Sequence, residues 1–402
     1  MKNVAIICEF DPLHLGHIHL ISSLREMGAK RIICIMSGAF CQRGDTSTFS
    51  RAVRAECAVE AGADVVLELP FPWSCSSAEF FAHGAMSLIK SIGNIDTLGF
   101  GSECGDVSSL ILAAERMRTG EFRDECARIS EENKNLGAAA VQSAAYKNLY
   151  GNAEVLTGAN NILAIEYIKS AKRLGVDIDF KTVRRIGDGH GEKNSGSKYA
   201  SASHIREMVG SGDTSFCRFV SERSYRAIMK EIEQKKISGG IAAIGDTVLY
   251  HFRLDKGSSD TAEMRGGLYE RACALSVFAN SYEKLFESMK TKKYTDARLR
   301  RAIVFSLLGV KSDMLKSSPE YTTLLGATTR GTRFLKEVKK TAVIPIVSSP
   351  AATHRLGHEC DSQLLMAERA LRLRSLTLLS IDSAISEGAV SPYIAGTKKV
   401  YK

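Results

Sequence analysis

Apolar runs of strand length alternate with stretches of helical spacing through the first half of this chain. Val4–Cys8, Arg31–Met36, Val65–Leu69 and Thr97–Phe100 are short and almost wholly apolar, as strands buried on both faces of a sheet are. Between them, the segments His17–Met27, Ser50–Ala61 and Ala78–Ser91 repeat apolar residues three and four apart, the spacing of a helix with one face in a core. The βαβα order predicts an α/β fold built on a doubly wound parallel sheet. From Asp106 to Tyr150 the pattern is mainly helical and more polar, expected as an insertion over the ligand-binding edge of that sheet. A helix near Asn161–Leu174 then leads into a strand at Asp177–Val183. After about Ser211 helical patterns dominate, at Phe219–Gln234, Gly267–Lys290, Asp296–Leu308, Gly331–Lys340 and Gln363–Leu379. Gly210-Ser211-Gly212-Asp213 is the natural hinge, dividing the chain into residues 1–211 and a mainly helical 212–402.

The first strand runs into Cys8-Glu9-Phe10-Asp11-Pro12-Leu13-His14-Leu15-Gly16-His17, which sets two histidines and a glycine turn between a strand and a helix. Such a loop lies at the carboxyl end of a parallel strand, where ligands bind, and the N–H groups of the following helix favour anions. An imidazole donates a directional hydrogen bond to a phosphoryl oxygen, and one titrating near neutrality can follow charge that builds on phosphorus. Read by themselves, His14 and His17 are equally loop histidines with no ligand. Further on, Tyr199-Ala200-Ser201-Ala202-Ser203-His204-Ile205-Arg206 places hydroxyls before an arginine at a helix start, preceded by the glycine- and lysine-containing stretch 187–198. That combination suits a triphosphate tail, or else an ordinary serine cap beside a surface arginine.

The two segments resemble the paired HxGH and ISSTxIR-like motifs of the HIGH-type nucleotidylyltransferases, although His204 stands where threonine is usual. Several further segments follow in the order and spacing of the tRNA(Met) cytidine acetate ligase family. They are Glu9–His17, Met36–Gly44, Ala61–Pro70, Phe100–Glu103, Asn160–Leu163 and Lys292–Arg301. The resemblance covers residues 1 to about 350. It implies a nucleotidylyltransferase-like, ATP-binding catalytic domain over 1–211 and a tRNA-binding domain over 212–402. It also implies an ATP loop made of Ile7, Cys8, Glu9, Phe10, Asp11, Pro12, Leu13, His14, Leu15, Gly16, His17, Ile18, His19 and Leu20, with Gly101, Asn160 or Asn161, Arg185 and Ile186 also touching nucleotide. The asparagine could instead cap the helix that follows. His14 and His17 would stabilise the reacting α-phosphate while Arg206, Ser201 and Ser203 hold pyrophosphate. In the loop after the second strand, Ser37, Gln42 and Arg43 are candidates to place acetate, and Arg43, if not paired with Asp45 or in contact with RNA, is the best suited of them. The implied chemistry is activation of acetate as acetyl-adenylate by ATP, with Mg²⁺, and transfer of the acetyl group to N4 of the wobble cytidine of elongator tRNA(Met). Lys292, Lys293, Arg298, Arg300 and Arg301 would grip RNA phosphates and Tyr294 stack on a base, unless they form a solvated helix start.

Bulk properties bear on this only in part. The 402 residues suffice for two domains and a sizeable core, and no apolar stretch approaches the length needed to span a bilayer, so a soluble, cytoplasmic protein is expected. Ten scattered cysteines without a CxxC pair read as reduced thiols rather than a zinc site. No acidic cluster marks a protein-borne metal. The net charge of +9 is unevenly spread, because residues 1–200 hold 22 basic and 24 acidic side chains and residues 201–402 hold 32 and 21. A basic second half suits a polyanion such as RNA, or simply a solvated surface. Two other functions share the phosphate motifs: a small-molecule adenylyltransferase, which has no need of a basic half, and a noncatalytic tRNA-binding protein that keeps ATP as a structural ligand.

Overall fold

The computed structural model describes residues 1–185, 199–254, 260–349, 360–380 and 391–395. Its first half contains β1 (Asn3–Cys8), β2 (Arg31–Ser37), the short hairpin β3 (Phe40–Cys41) and β4 (Asp45–Thr46), then β5 (Val65–Leu69), β6 (Thr97–Ser102) and β7 (Asp179–Arg184). Between them lie α1 (Leu15–Glu26), α2 (Arg51–Glu60), α3 (Ala78–Ile92), α4 (Val107–Arg116), α5 (Gly120–Glu132), α6 (Ala138–Tyr150) and α7 (Ala159–Leu174). The sheet runs β5-β2-β1-β6-β7 with every one of these pairs parallel, which is the α/β arrangement the alternating pattern predicts. Alternate residues of each strand enter opposite cores. Ala5, Ile33, Ile35 and Leu67 face α3 and α7, whereas Val4, Ile6, Ile32 and Cys34 face α1 and α2. The chain builds leftward from β1 to β2 and β5, then rightward to β6 and β7, so the crevice at the carboxyl end of β1 is the switch point where ligands bind.

The second half supplies α8 (Ala202–Gly210), α9 (Glu222–Glu233), α10 (Gly245–Leu254), α11 (Leu268–Ser276), α12 (Tyr282–Met289), α13 (Asp296–Leu308), α14 (Ser312–Lys316), α15 (Thr329–Val338) and α16 (Asp361–Ser375). The stretch Gly267–Lys290, expected as one helix, is two, separated by residues 277–281. A strand absent from the sequence reading, β8 (Thr322–Ala327), joins the sheet antiparallel to β5, and β9 (Ile346–Val347) and β10 (Tyr393–Ile394) pair parallel with β8. The sheet thus draws on chain from both sides of residue 211. Of the segment expected over the ligand edge, the turn between α5 and α6 reaches the second half, where a Cβ on Gly137 would lie 3.1 Å from the Lys293 carbonyl oxygen. The helices α4 to α6 put Leu110, Ala113, Val141 and Ala145 into the same core as Ala164 and Ile168 of α7, which holds them beside the sheet.

The second half packs tightly on the β3–β4 turn at the ligand edge. Gly44 in the β3–β4 turn has φ +81°, and a Cβ there would lie 2.5 Å from the Arg301 nitrogen, so α13 rests directly on this turn. Arg300 donates to the Arg43 carbonyl (3.1 Å) and Arg301 to the Gln42 carbonyl (3.3 Å).

Candidate active site

His14 caps α1 in an extended conformation, and its Nδ1 accepts from the Gly16 N–H (3.1 Å). His17, one turn on, accepts the His14 N–H at its own Nδ1 (3.3 Å), closing a reciprocal capping box of two imidazoles. The rings stack with centroids 3.7 Å apart. A Cβ on Gly16 would approach His14 Cε1 to 2.9 Å, so this position must be small. Because both Nδ1 atoms accept, a neutral ring carries its proton on Nε2 in each case, giving two N–H donors. Burial, with the Arg185 and Arg206 charges, lowers the His14 pKa to about 3. Burial, then His14 and Arg185, depress His17 as well. The expectation that these groups titrate near neutrality is corrected. They are neutral donors, held so by their burial and by the arginines around them.

Asp11 anchors the loop from beneath. Its carboxylate accepts from Arg43 (2.8 Å) and from the backbone N–H groups of Thr48 (2.9 Å) and Phe49 (3.0 Å). Burial alone would raise its pKa, but Arg43, Arg54 and Arg206 hold it well below the usual carboxylate range. Two fully buried arginines fix the surrounding backbone. Arg54 donates to the carbonyls of Glu9 (2.8 Å), Ser37 (2.9 Å) and Phe49 (3.1 Å), and Arg374 of α16 donates to those of Ser47 (3.0 Å) and Thr48 (3.2 Å). The second motif closes on the first, since Arg206 Nη1 donates to the Asp11 carbonyl (2.6 Å) and Nη2 to Ser203 Oγ (3.0 Å). Ser201 accepts from the His204 N–H as the cap of α8, so the capping role is realised in a residue that also faces the site.

These groups surround a cavity of about 1140 Å³. Of the expected ATP loop, Ile7, Cys8, Glu9, Phe10, Asp11, His14, Gly16, His17, His19 and Leu20 line it, whereas Pro12, Leu13, Leu15 and Ile18 do not, and Leu13 is a core side chain. Gly101, Asn160, Arg185, Ser201, Ser203 and Arg206 line it too. Ile186 and the stretch 187–198 lie outside the described residues. The two asparagines separate in role. Asn160 faces the cavity, with its Nδ2 on Glu103 (2.6 Å) and its Oδ1 accepting from Arg185 (3.4 Å), while Asn161 is buried and accepts from the N–H groups of Glu103 and Cys104. Neither is the helix cap. Gly158 occupies that position, and Glu103 receives the N–H groups of Asn160 (3.1 Å) and Asn161 (2.8 Å).

Of the acetate candidates only Gln42 reaches the cavity. Ser37 is fully buried with its oxygen atoms turned to Arg54, and Arg43 is bound to Asp11 and to the Thr46 carbonyl (3.2 Å). Asp45, its suggested partner, instead accepts from the N–H groups of Thr46 and Ile241. The cavity also takes in Glu103, Leu163, Tyr167, Tyr199 and Phe219, none of which was assigned from sequence. The spacing of Leu163 and Tyr167 is that of any buried helix face, so nothing marked them as cavity wall. Among the RNA candidates, Lys292 and Lys293 are exposed and Tyr294 half-buried beneath Arg298, whose guanidinium lies 4.7 Å from the ring centre. Arg301 is buried against Glu263 (3.1 Å) and Gln42, and Arg300 braces Arg43, so the side chains of this pair are turned inward.

A family model described as HIGH Nucleotidyl Transferase matches residues 1–383. A tRNA(Met) cytidine acetate ligase of Acetivibrio thermocellus is 32% identical over 369 residues, 86% of this chain and 88% of that protein. One from Clostridium perfringens is 34% identical over 364 residues, 87% of this chain and 90% of that protein. The crystal structure of Thermotoga maritima TmcAL bound with alpha-thio ATP superposes with a TM-score of 0.89 at 27% identity, covering 98% of this chain and 99% of that one. Fold, motifs and relatives agree, and the chain belongs to the HIGH nucleotidyl transferases and, among them, to the tRNA(Met) cytidine acetate ligase family.

Proposed function

We propose that this protein is an ATP-dependent ligase that activates acetate as acetyl-adenylate and transfers the acetyl group to N4 of the wobble cytidine of elongator tRNA(Met). The observation that carries the reading is the meeting of the two phosphate motifs. Arg206 reaches across 195 residues of sequence to the backbone of Asp11, beside two imidazoles that each present an Nε2–H. A carboxylate does not acylate an amine at neutral pH until it gains a leaving group, and attack on the α-phosphate supplies AMP. Charge then grows on the equatorial phosphoryl oxygens, where fixed N–H donors from His14 and His17 stabilise it without a protonation step. Arg206, Ser201 and Ser203 hold the departing pyrophosphate, and Gly101, Asn160 and Arg185 the nucleoside. Mg²⁺ would ride on the triphosphate, since among the described residues no three His, Cys, Asp or Glu side chains come together to hold a metal.

On this reading residues 1–211 carry ATP chemistry and 212–402 the tRNA, with Lys292, Lys293 and Tyr294 as the RNA contacts and Arg298, Arg300 and Arg301 as braces behind them. The decisive experiment supplies bulk tRNA, ATP and labelled acetate, then digests the RNA. Label in N4-acetylcytidine, dependent on ATP, is expected. Label transfer to a phosphorylated small molecule would favour an adenylyltransferase, and ATP and tRNA binding with no modified nucleoside a noncatalytic protein.

A further inference from the structure

Acylation of an amine sheds a proton, and the residues assigned so far do not accept one. His14 and His17 use Nδ1 for backbone N–H groups and present protonated Nε2 atoms. Asp11 is saturated by Arg43, Thr48 and Phe49. Glu103 receives the first turn of α7 together with the Asn160 amide. Glu207, which also borders the cavity, is an exposed side chain beside His204. Glu9 differs from all of these. It stands at the carboxyl end of β1 on the cavity wall, where Oε1 accepts the Gln42 N–H (2.7 Å) and, among the described residues, Oε2 has only Arg43 at 3.7 Å, too far for a hydrogen bond.

Its neighbour completes the case. Gln42 lines the same wall from the β2 side, and its backbone is fixed at both ends, the N–H by Glu9 and the carbonyl by Arg301. No hydrogen bond engages its carboxamide among the described residues. The groups assigned to the nucleoside come from β6, β7 and α7 and those assigned to pyrophosphate from α8, whereas Glu9 and Gln42 line the cavity from β1 and the β2 side.

We infer that Glu9 is the catalytic base of acetyl transfer, taking the proton that the cytidine N4 loses, and that Gln42 holds the acceptor base beside it. The step balances within the proposed reaction. The N4–carbon bond forms, the bond from carbonyl carbon to the AMP phosphate oxygen breaks, AMP leaves as an anion, and the N4 proton passes to the Glu9 carboxylate. A carboxylate is basic enough for this, because an amine nitrogen becomes strongly acidic once the carbon–nitrogen bond has formed. The inference rests on the ligase reading above.

The test separates the two half-reactions. Glu9→Gln and Glu9→Asp are compared with wild type in acetate-dependent pyrophosphate exchange without tRNA, and in single-turnover transfer from supplied acetyl-adenylate to tRNA(Met). Glutamine still accepts the Gln42 N–H and so keeps the wall, which a thermal melt and ATP titration check. The expected result is that Glu9→Gln slows transfer by about 10²–10³ beyond any change in exchange, with partial recovery in Glu9→Asp. Equal losses in both half-reactions, or transfer at the wild-type rate, would overturn the assignment. Wild-type protein that performs neither half-reaction would remove the ligase reading and this inference with it.

Discussion

At the scale of single residues, the proposed chemistry turns on two histidines whose proton count is set by what surrounds them. The sequence marks His14 and His17 as candidates by position, yet their charge depends on burial and on Arg185 and Arg206, which arrive from distant segments. The folded-state pKa of His14, about 3, lies below that of the unfolded chain, so the unfolded state takes up the proton first. This residue's stability contribution is complete above roughly pH 6.5 and drains away as pH falls toward 3. Between pH 7.5 and 5 the loss is about 2 kcal/mol. Thermal unfolding of the ATP-free protein at pH 7.5 and pH 5 is expected to show that loss, and His14→Asn, which keeps a capping side chain, to show less of it. Arg43 makes the converse point. A guanidinium in a ligand-edge loop reads as a carboxylate clamp, but only the fold discloses that Asp11 already occupies it.

Between elements, the fixed points are helix ends and turns rather than long surfaces. Glu103, at the end of β6, caps α7 and orients Asn160 toward the cavity, so Glu103→Ala should raise the ATP KM several-fold through loss of a cap worth about 1 kcal/mol, measured by exchange at varied ATP. The Gly44 turn is the second such point. Gly44→Val should lower the melting temperature and the transfer rate together, because it forces a side chain into the α13 backbone at a φ that branched residues avoid. Of the elements, four of the parallel strands were legible as apolar runs bounded by helical spacing, and β7, with its alternating Asp-Phe-Lys-Thr-Val-Arg, as the strand after the α7 pattern. β8 was not. Thr322–Ala327 is one six-residue run set among helices, and its place in the sheet follows from long-range antiparallel pairing with β5, which local pattern does not encode.

For the molecule as a whole, the basic charge gathers beyond residue 200 while the residues proposed to hold the triphosphate stand mostly before it. Binding of tRNA should weaken by about 0.7 log units per phosphate contact for each tenfold rise in salt, and removing Lys292 and Lys293 together should reduce that slope by about 1.4, read from titrations over a salt series. The sheet makes a different demand. Fragment 1–211 lacks β8, leaving Val65, Leu67 and Leu69 of β5 at an open edge, so it should be recovered aggregated or poorly folded, whereas the full chain melts cooperatively.

The late arrival of β8 also shapes how the protein is made. Some 250 residues separate Leu69 from Ala327, and at about 5–20 residues per second a ribosome needs tens of seconds to deliver the missing strand. During that interval the nascent first half carries a bare apolar border in the crowded cell, an invitation to chaperones that lapses only once residues 322–327 have emerged.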